Sequence, residues 1–109
     1  MNIPIVCDLD AIPSEERAAH EARAKRLFYD GTFTDLREVD SGYEFAFPLD
    51  ELLNVATYIK NERLCCPFWD FRLTLAPNEQ VFWLHLGGAD GVKAMMQQEI
   101  IPQTRQSDI

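Results

Sequence analysis

The sequence lacks the long apolar run and the excess of basic residues that would direct a protein to a membrane or to nucleic acid. No segment approaches the ~18 consecutive apolar residues of a membrane-spanning helix. Ten lysine and arginine residues stand against eighteen acidic ones, which gives a formal charge of −8. Because such a surface repels phosphate backbones and anionic lipids, we expect neither a nucleic-acid partner nor a membrane partner.

Cysteine is also scarce, and the three cysteines, Cys7, Cys65 and Cys66, cannot all be paired. The Cα atoms of adjacent residues lie ~3.8 Å apart, below the ~4.4 Å usual across a disulfide, so a Cys65–Cys66 bond would be strained. The N-terminus has no positively charged region and Pro4 interrupts its apolar run. We therefore expect neither a secretory signal nor a lipoprotein leader, a cytoplasmic location, and free thiols.

The length and composition are those of one folded domain. A chain of 109 residues can bury a single core, and 47% hydrophobic with 26% charged residues is typical of soluble globular proteins. We expect one domain over residues 1–109, with an N-terminal arm over residues 1–12 and a frayed polar tail over residues 102–109.

Helix and strand signals alternate along this domain and predict an α+β fold. Ser14 caps the first predicted helix, and Pro67 ends the second one, which has the clearest apolar stripe. The predicted helices cover residues 14–29, 50–65 and 92–100, and the predicted strands cover residues 32–39, 43–47, 71–75 and 81–86. The order α-ββ-α-ββ-α predicts about four antiparallel strands with the helices mainly on one face.

Cys65 and Cys66 stand side by side where the second predicted helix ends, and Glu62 lies one turn before them. Residues three and four positions apart are neighbours on a helix surface, so Glu62 adjoins both thiols. A carboxylate at the edge of an apolar stripe is costly unless it has a partner. Phe68 and Trp69 follow directly and could shield the thiols from water, as the wall of a pocket. The pattern predicts a thiol site with Glu62 beside it as a proton acceptor.

Cys7 and Asp8 lie on the apolar N-terminal arm, which must pack somewhere. If it docks at the end of the second helix, three sulfurs and one or two carboxylates converge. Thiolate ligands favour soft ions, namely mercury(II), copper(I), arsenic(III) or zinc, over magnesium or calcium. Zinc fits less well, because structural zinc sites separate paired cysteines by two to four residues. We predict a metal or metalloid site at Cys7, Cys65 and Cys66, with Glu62 and Asp8 outside the ligand shell and no organic cofactor.

Three other functions stay open. The same cysteines could serve a thiol enzyme, in redox chemistry or in carbon–metal bond cleavage. A redox nucleophile is disfavoured, because the helix C-terminus and Glu62 both raise the thiol pKa. The second alternative is an interaction module in which the cysteines only pack, and the third is a small-ligand pocket lined by Phe45, Phe47 and Trp69.

Both histidines are expected to lie away from this site. His20 falls on the charged first helix, where we expect it to be solvated. His85 alternates with Trp83 on the last strand, on the face opposite Phe82 and Leu84, and we expect it at the surface or at an interface rather than as a ligand. A sheet face that carries Trp83 and His85 could mediate a homodimer. The sequence shows no Ser/His/Asp arrangement of recognisable spacing.

Three segments resemble a group of small, uncharacterised bacterial proteins: Cys7-Asp8-Leu9, Glu62 to Phe68, and Trp83 to Gly87. The group's signature is E-x-x-C-C-P-F, with C-D-L near the start and W-L-x-L-x-G later, and the resemblance covers nearly the whole chain. Some members are associated with mercury or arsenic resistance genes. The resemblance implies that Cys7, Cys65 and Cys66 belong to one site and that the protein acts in heavy-metal resistance. Where the group carries T-G-P-x-G, this chain has Gly-Gly-Ala-Asp-Gly at 87–91, so no role is carried over to that loop.

Overall fold

The chain forms helices and strands in the predicted order. A computed structural model describes residues 5–104, so the first four residues of the predicted arm and the last five of the predicted tail lie outside the described residues. The helices are α1 (Ser14–Ala24), α2 (Leu52–Cys65) and α3 (Val92–Met95), and the strands are β1 (Asp35–Val39), β2 (Gly42–Pro48), β3 (Asp70–Thr74) and β4 (Val81–Gly87). The α+β prediction is confirmed.

The α-helices continue into, or are preceded by, turns of a different width: π-helical turns, which are wider, and 3₁₀ turns, which are narrower. α1 continues as a π-helical turn over Lys25–Tyr29 and α3 as one over Met96–Ile100, while a 3₁₀ turn over Leu49–Glu51 precedes α2. A further 3₁₀ turn over Ile101–Gln103 leads to the buried Thr104, so the predicted tail packs against the domain up to that residue.

The four strands form one antiparallel sheet in the order β1-β2-β4-β3. On the two central strands, Phe45 pairs with Leu84 and Phe47 pairs with Phe82. Side chains alternate across a strand, so these apolar residues share one face of the sheet. The helices cover that face.

The main core lies between this sheet face and the helices. Phe45, Phe47 and Phe82 are fully buried, and the ring of Phe28 from the end of the first helix packs edge-on against Phe45 and Phe47. The predicted ligand pocket of Phe45, Phe47 and Trp69 is therefore wrong in two of its members, because Phe45 and Phe47 are enclosed by other core rings. Trp69 is partly buried and lines the cavity described below.

The outer face of the sheet carries Trp83 and His85, as predicted, but His85 is not exposed. The Arg37 guanidinium lies 3.8 Å from the centre of the Trp83 ring. His85 is 6% exposed, and its ring nitrogens contact Ser41 at 3.3 Å and Glu44 at 3.3 Å. The expected surface position of His85 is wrong, because the β1–β2 turn and the neighbouring strand cover the ring, and its place at an interface stays a prediction. No helix within residues 5–104 is long and apolar enough to span a membrane.

Candidate metal centre

The N-terminal arm docks against the end of α2. The Asp8 backbone N–H donates to the Cys65 carbonyl over 2.7 Å, and the Asp8 carboxylate accepts from the Asp10 N–H over 3.1 Å. Ile12 is fully buried in a second apolar cluster with Cys65, Cys66, Phe68 and Val92. Burial of Ile12 and these hydrogen bonds hold Cys7 beside the cysteine pair, so the predicted meeting of the three cysteines is confirmed.

Pro67 is the reason that both adjacent cysteines can face inward. The residue before a proline is pushed out of helical geometry, and Cys66 has φ −126° and ψ 79° while its N–H still donates to the Glu62 carbonyl over 2.7 Å. Successive residues of a continuing helix would diverge by ~100°. The break turns Cys66 back to the interior, and both cysteines are buried.

The three sulfur atoms lie within 4.8 Å of one another and could hold a metal ion. Cys7 and Cys66 are joined as a disulfide, while the thiol of Cys65 is free and lies 3.5 Å from the Cys66 sulfur. The expectation of free thiols is therefore wrong for Cys7 and Cys66. Docking of the arm brings their Cα atoms to 4.4 Å, a separation that a disulfide accepts and that adjacent residues do not reach.

Glu62 has two hydrogen-bonding partners of its own. Its Oε1 lies 2.9 Å from His20 Nε2, and its Oε2 accepts from Trp69 Nε1 over 3.0 Å. The His20 ring is stacked on Tyr58 with 5.4 Å between the ring centres. The desolvation penalty expected for a carboxylate at this position is thus offset by its contacts with His20 and Trp69.

His20 is the site residue that the sequence reasoning missed. It was expected in solvent, but the residue is 3% exposed, because its side chain packs between Tyr58 and Glu62 of α2. A signal was present: His20 precedes the buried Leu27 by seven residues, two helical turns, which places both on one side of the helix.

The remaining predicted site residues are near the sulfurs, in different roles. Phe68 is buried against the cysteines, and the centres of the Phe68 and Trp69 rings are 4.8 Å apart. Asp8 is exposed and contacts Cys65 through its backbone. Trp69 lines the cavity beside the sulfurs, whereas Phe68 packs in the buried cluster with Cys65 and Cys66. The Asp8 carboxylate caps its own turn.

The site favours the protonated form of the free thiol. Burial raises the pKa of Cys65, and the negative charges of Glu62 and Asp8 raise it further, against a smaller lowering by a backbone hydrogen bond from Asp8. Burial and then Glu62 likewise raise the pKa of Tyr58 well above its ordinary value. The Cys65 thiolate is thus disfavoured relative to that of an ordinary cysteine.

A cavity of about 430 Å³ opens beside the sulfurs. All three cysteines, His20 and Glu62 line it, and its apolar walls include Phe28, Tyr29, Tyr58, Trp69, Leu86 and Ile100. A small molecule in this cavity would therefore contact the sulfur cluster, and Cys7 is also exposed at the protein surface.

Comparisons with models of protein families, with curated proteins and with solved structures find no match to this chain. The resemblance to small bacterial proteins stays a prediction. What the site can do follows from its own geometry.

Proposed function

We propose that the reduced protein binds a soft metal or metalloid ion through Cys7, Cys65 and Cys66. The observation that carries this proposal is the approach of three sulfurs to within 4.8 Å of one another. Sulfur ligands select thiophilic ions over magnesium or calcium. Mercury(II), copper(I) and arsenic(III) suit a set of three sulfurs better than zinc does, since a zinc site takes four ligands.

Reduction of the Cys7–Cys66 disulfide must precede this binding, because a sulfur in a disulfide has no thiolate to offer. Reduction supplies two thiols next to the Cys65 thiol, which is already free. The raised pKa of Cys65 does not prevent binding, since the ion itself displaces the thiol proton. Glu62 lies beside Cys65 and acts as the acceptor for that proton. We further propose that binding of the ion contributes to heavy-metal resistance.

Titration of the reduced full-length protein with each ion tests the proposal. We expect one ion per chain, proton release, and an ultraviolet absorption band from sulfur-to-metal charge transfer. Cys65→Ser and Cys66→Ser should weaken binding by more than the roughly 10–100-fold typical of losing a residue that only supports a ligand. His85→Gln, which changes a buried histidine on the other face of the sheet, is the matched control and should bind normally. Absence of uptake by the reduced chain, or full uptake by Cys65→Ser, contradicts the proposal.

The disulfide favours a second candidate, a thiol redox enzyme using the same cysteines. The free Cys65 thiol lies 3.5 Å from a disulfide sulfur at the wall of a cavity, an arrangement from which thiol–disulfide exchange can proceed. The raised pKa of Cys65 is its weakness. Catalytic turnover of a small disulfide without added metal supports the enzyme, and stoichiometric ion uptake without turnover supports the binding protein. Carbon–metal bond cleavage stays an alternative that turnover of an organometal would reveal.

A further inference from the structure

The cavity beside the sulfurs has acidic side chains in its lining. Its charged lining residues are Glu21 and Glu62, and among residues 5–104 no lysine or arginine lines it. Apart from His20 and the three cysteines, its other walls are aromatic or aliphatic. Negative charge and apolar surface in the cavity would disfavour binding of a carboxylate or phosphate ligand. They would not disfavour an uncharged or cationic molecule with an apolar body.

One ring nitrogen of His20, a residue that lines this cavity, is buried without a hydrogen-bond partner among the described residues. A carboxylate can only accept, so in the neutral imidazole the contact with Glu62 places the ring hydrogen on His20 Nε2 and leaves a lone pair on Nδ1. Nδ1 is buried and has no hydrogen-bond partner within residues 5–104. Buried polar atoms of this kind are rare in proteins, and a ligand that donates a hydrogen bond would satisfy it.

The imidazole stands outside the sulfur cluster, although both line the same cavity. A ligand in the cavity therefore has both the imidazole and the disulfide among its walls. A ligand that carries an S–H group can interact with both, because it can donate its hydrogen to His20 and its sulfur can attack the disulfide.

We propose that this cavity binds a small organic thiol, uncharged or cationic, which reduces the Cys7–Cys66 disulfide while His20 accepts its proton. The inference deepens the proposed function, since it supplies the reduced form that ion binding requires, but the cavity chemistry itself rests on the disulfide and on His20. The thiol is the reductant, and the protein disulfide is what it reduces.

The exchange balances in two steps. The ligand sulfur gives its proton to His20 Nδ1 and attacks one disulfide sulfur, so that the S–S bond breaks, a mixed disulfide forms, and the departing cysteine takes the proton from His20. A second thiol molecule attacks the mixed disulfide at the ligand sulfur and gives its proton to the second cysteine. The products are two protein thiols and one molecule of the oxidised ligand, so one electron pair has passed to the protein.

Reduction kinetics of the full-length oxidised protein test the inference with three thiols of similar size, namely mercaptoethanol (uncharged), cysteamine (cationic) and mercaptopropionate (anionic). Each rate is divided by the rate of the same thiol with hydroxyethyl disulfide, which removes differences in intrinsic reactivity. We expect mercaptoethanol and cysteamine to exceed mercaptopropionate by about tenfold after this correction. We also expect their rates to saturate with concentration, as binding in a cavity requires.

Two variants assign the effect to the cavity. His20→Gln should slow reduction by mercaptoethanol by about 100-fold, the lower range for a lost general base, and Glu62→Gln should remove most of the discrimination against mercaptopropionate. His85→Gln is the control, because it alters the other carboxylate-paired buried histidine, and both the rate and the discrimination should stay at the wild-type values. Linear, charge-independent rates in the wild-type protein overturn the inference even if His20→Gln fails to fold, since they describe attack on Cys7 from solvent.

The outcome separates this inference from the proposed function. Saturable, charge-selective reduction followed by no ion uptake leaves the thiol cavity and removes the metal site. Ion uptake after reduction by a phosphine, together with unselective thiol kinetics, leaves the metal site and removes the thiol cavity.

Discussion

Among single residues, Glu62 has the most influence on the chemistry of the site. It contacts His20 and Trp69 directly, and its charge contributes to the raised pKa values of Cys65, Tyr58 and Tyr29. In each of these three groups burial is the larger cause. The charge of Glu62 thus adds to the rise in pKa that burial in apolar surroundings causes.

Neutralising Glu62 should lower the pKa of Cys65. In Glu62→Gln, the charge that disfavours the thiolate is gone while burial stays, so the pKa falls but not to that of an exposed thiol. The measurement is the pH dependence of iodoacetamide alkylation of the oxidised protein, whose midpoint should move to lower pH. Glu21→Gln is the control, since Glu21 lines the same cavity but is not among the causes of the shift at Cys65. An unchanged midpoint in Glu62→Gln refutes the assignment.

Removing one aromatic core residue should cost a large part of the stability. Phe47 is 0% exposed and its ring packs against those of Phe28, Phe33 and Phe82. Phe47→Ala should lower the free energy of unfolding by about 3–5 kcal/mol, measured by urea denaturation. Leu53→Ala is the control, because Leu53 is 80% exposed, and its change should be within about 0.5 kcal/mol. Equal effects of the two would show that Phe47 is not a core residue in solution.

At the scale of elements, a row of polar side chains on the outer face of the sheet links three strands. Glu44 on β2 contacts Arg37 on β1 over 2.7 Å and His85 on β4 over 3.3 Å. Burial opposes the charge on Glu44, but hydrogen bonds and charge from Arg37 and His85 outweigh it and lower the pKa of Glu44. Cross-strand pairs of this kind stabilise the pairing of neighbouring strands.

The contribution of Glu44 should depend on pH. Its folded-state pKa lies below the ordinary 4.5, so its stabilisation is present above that value and is lost as the pH falls through the folded-state pKa. Glu44→Gln should lower the free energy of unfolding by about 1 kcal/mol at pH 7, since Arg37 is largely exposed and solvent weakens its share. Urea denaturation of both proteins between neutral and acidic pH should show the difference shrinking. A constant difference, or one matched by Glu79→Gln in the exposed β3–β4 turn, contradicts it.

For the molecule as a whole, the Cys7–Cys66 disulfide ties the N-terminal arm to the end of α2 across 59 residues of sequence. The loop that it closes contains α1, β1, β2 and α2, and so a large part of the fold. The same bond also determines whether the sulfur cluster holds one thiol or three.

Opening the disulfide should lower global stability without unfolding the domain. A loop of this length implies a loss of about 4 kcal/mol in the chain-entropy account. Urea denaturation with and without a phosphine reductant should show this difference in the wild-type protein. Cys7→Ser should have the stability of the reduced wild-type protein and should not respond to reductant. A reductant effect that persists in Cys7→Ser would assign the change to something other than this bond.

Much of the fold follows from local patterns in the chain. The apolar stripe of α2, the break at Pro67 and the alternating aromatic residues of β2 depend on near neighbours, and each predicted element exists close to its predicted position. The proximity of Glu62 to the cysteine pair is also local, since it needs one helical turn. These features are predictable because their energetics are decided within a few residues.

The choice of Cys66 as the partner of Cys7, and the burial of His20 against Glu62, could not be obtained in this way. The first joins residues 59 apart and the second joins residues 42 apart. Both depend on how the arm and α1 dock on α2, where burial of Ile12 and Leu27 sets the geometry. The residue types and spacing thus specified a thiol site next to a carboxylate, whereas long-range packing decided which sulfurs are bonded and which histidine shares the cavity.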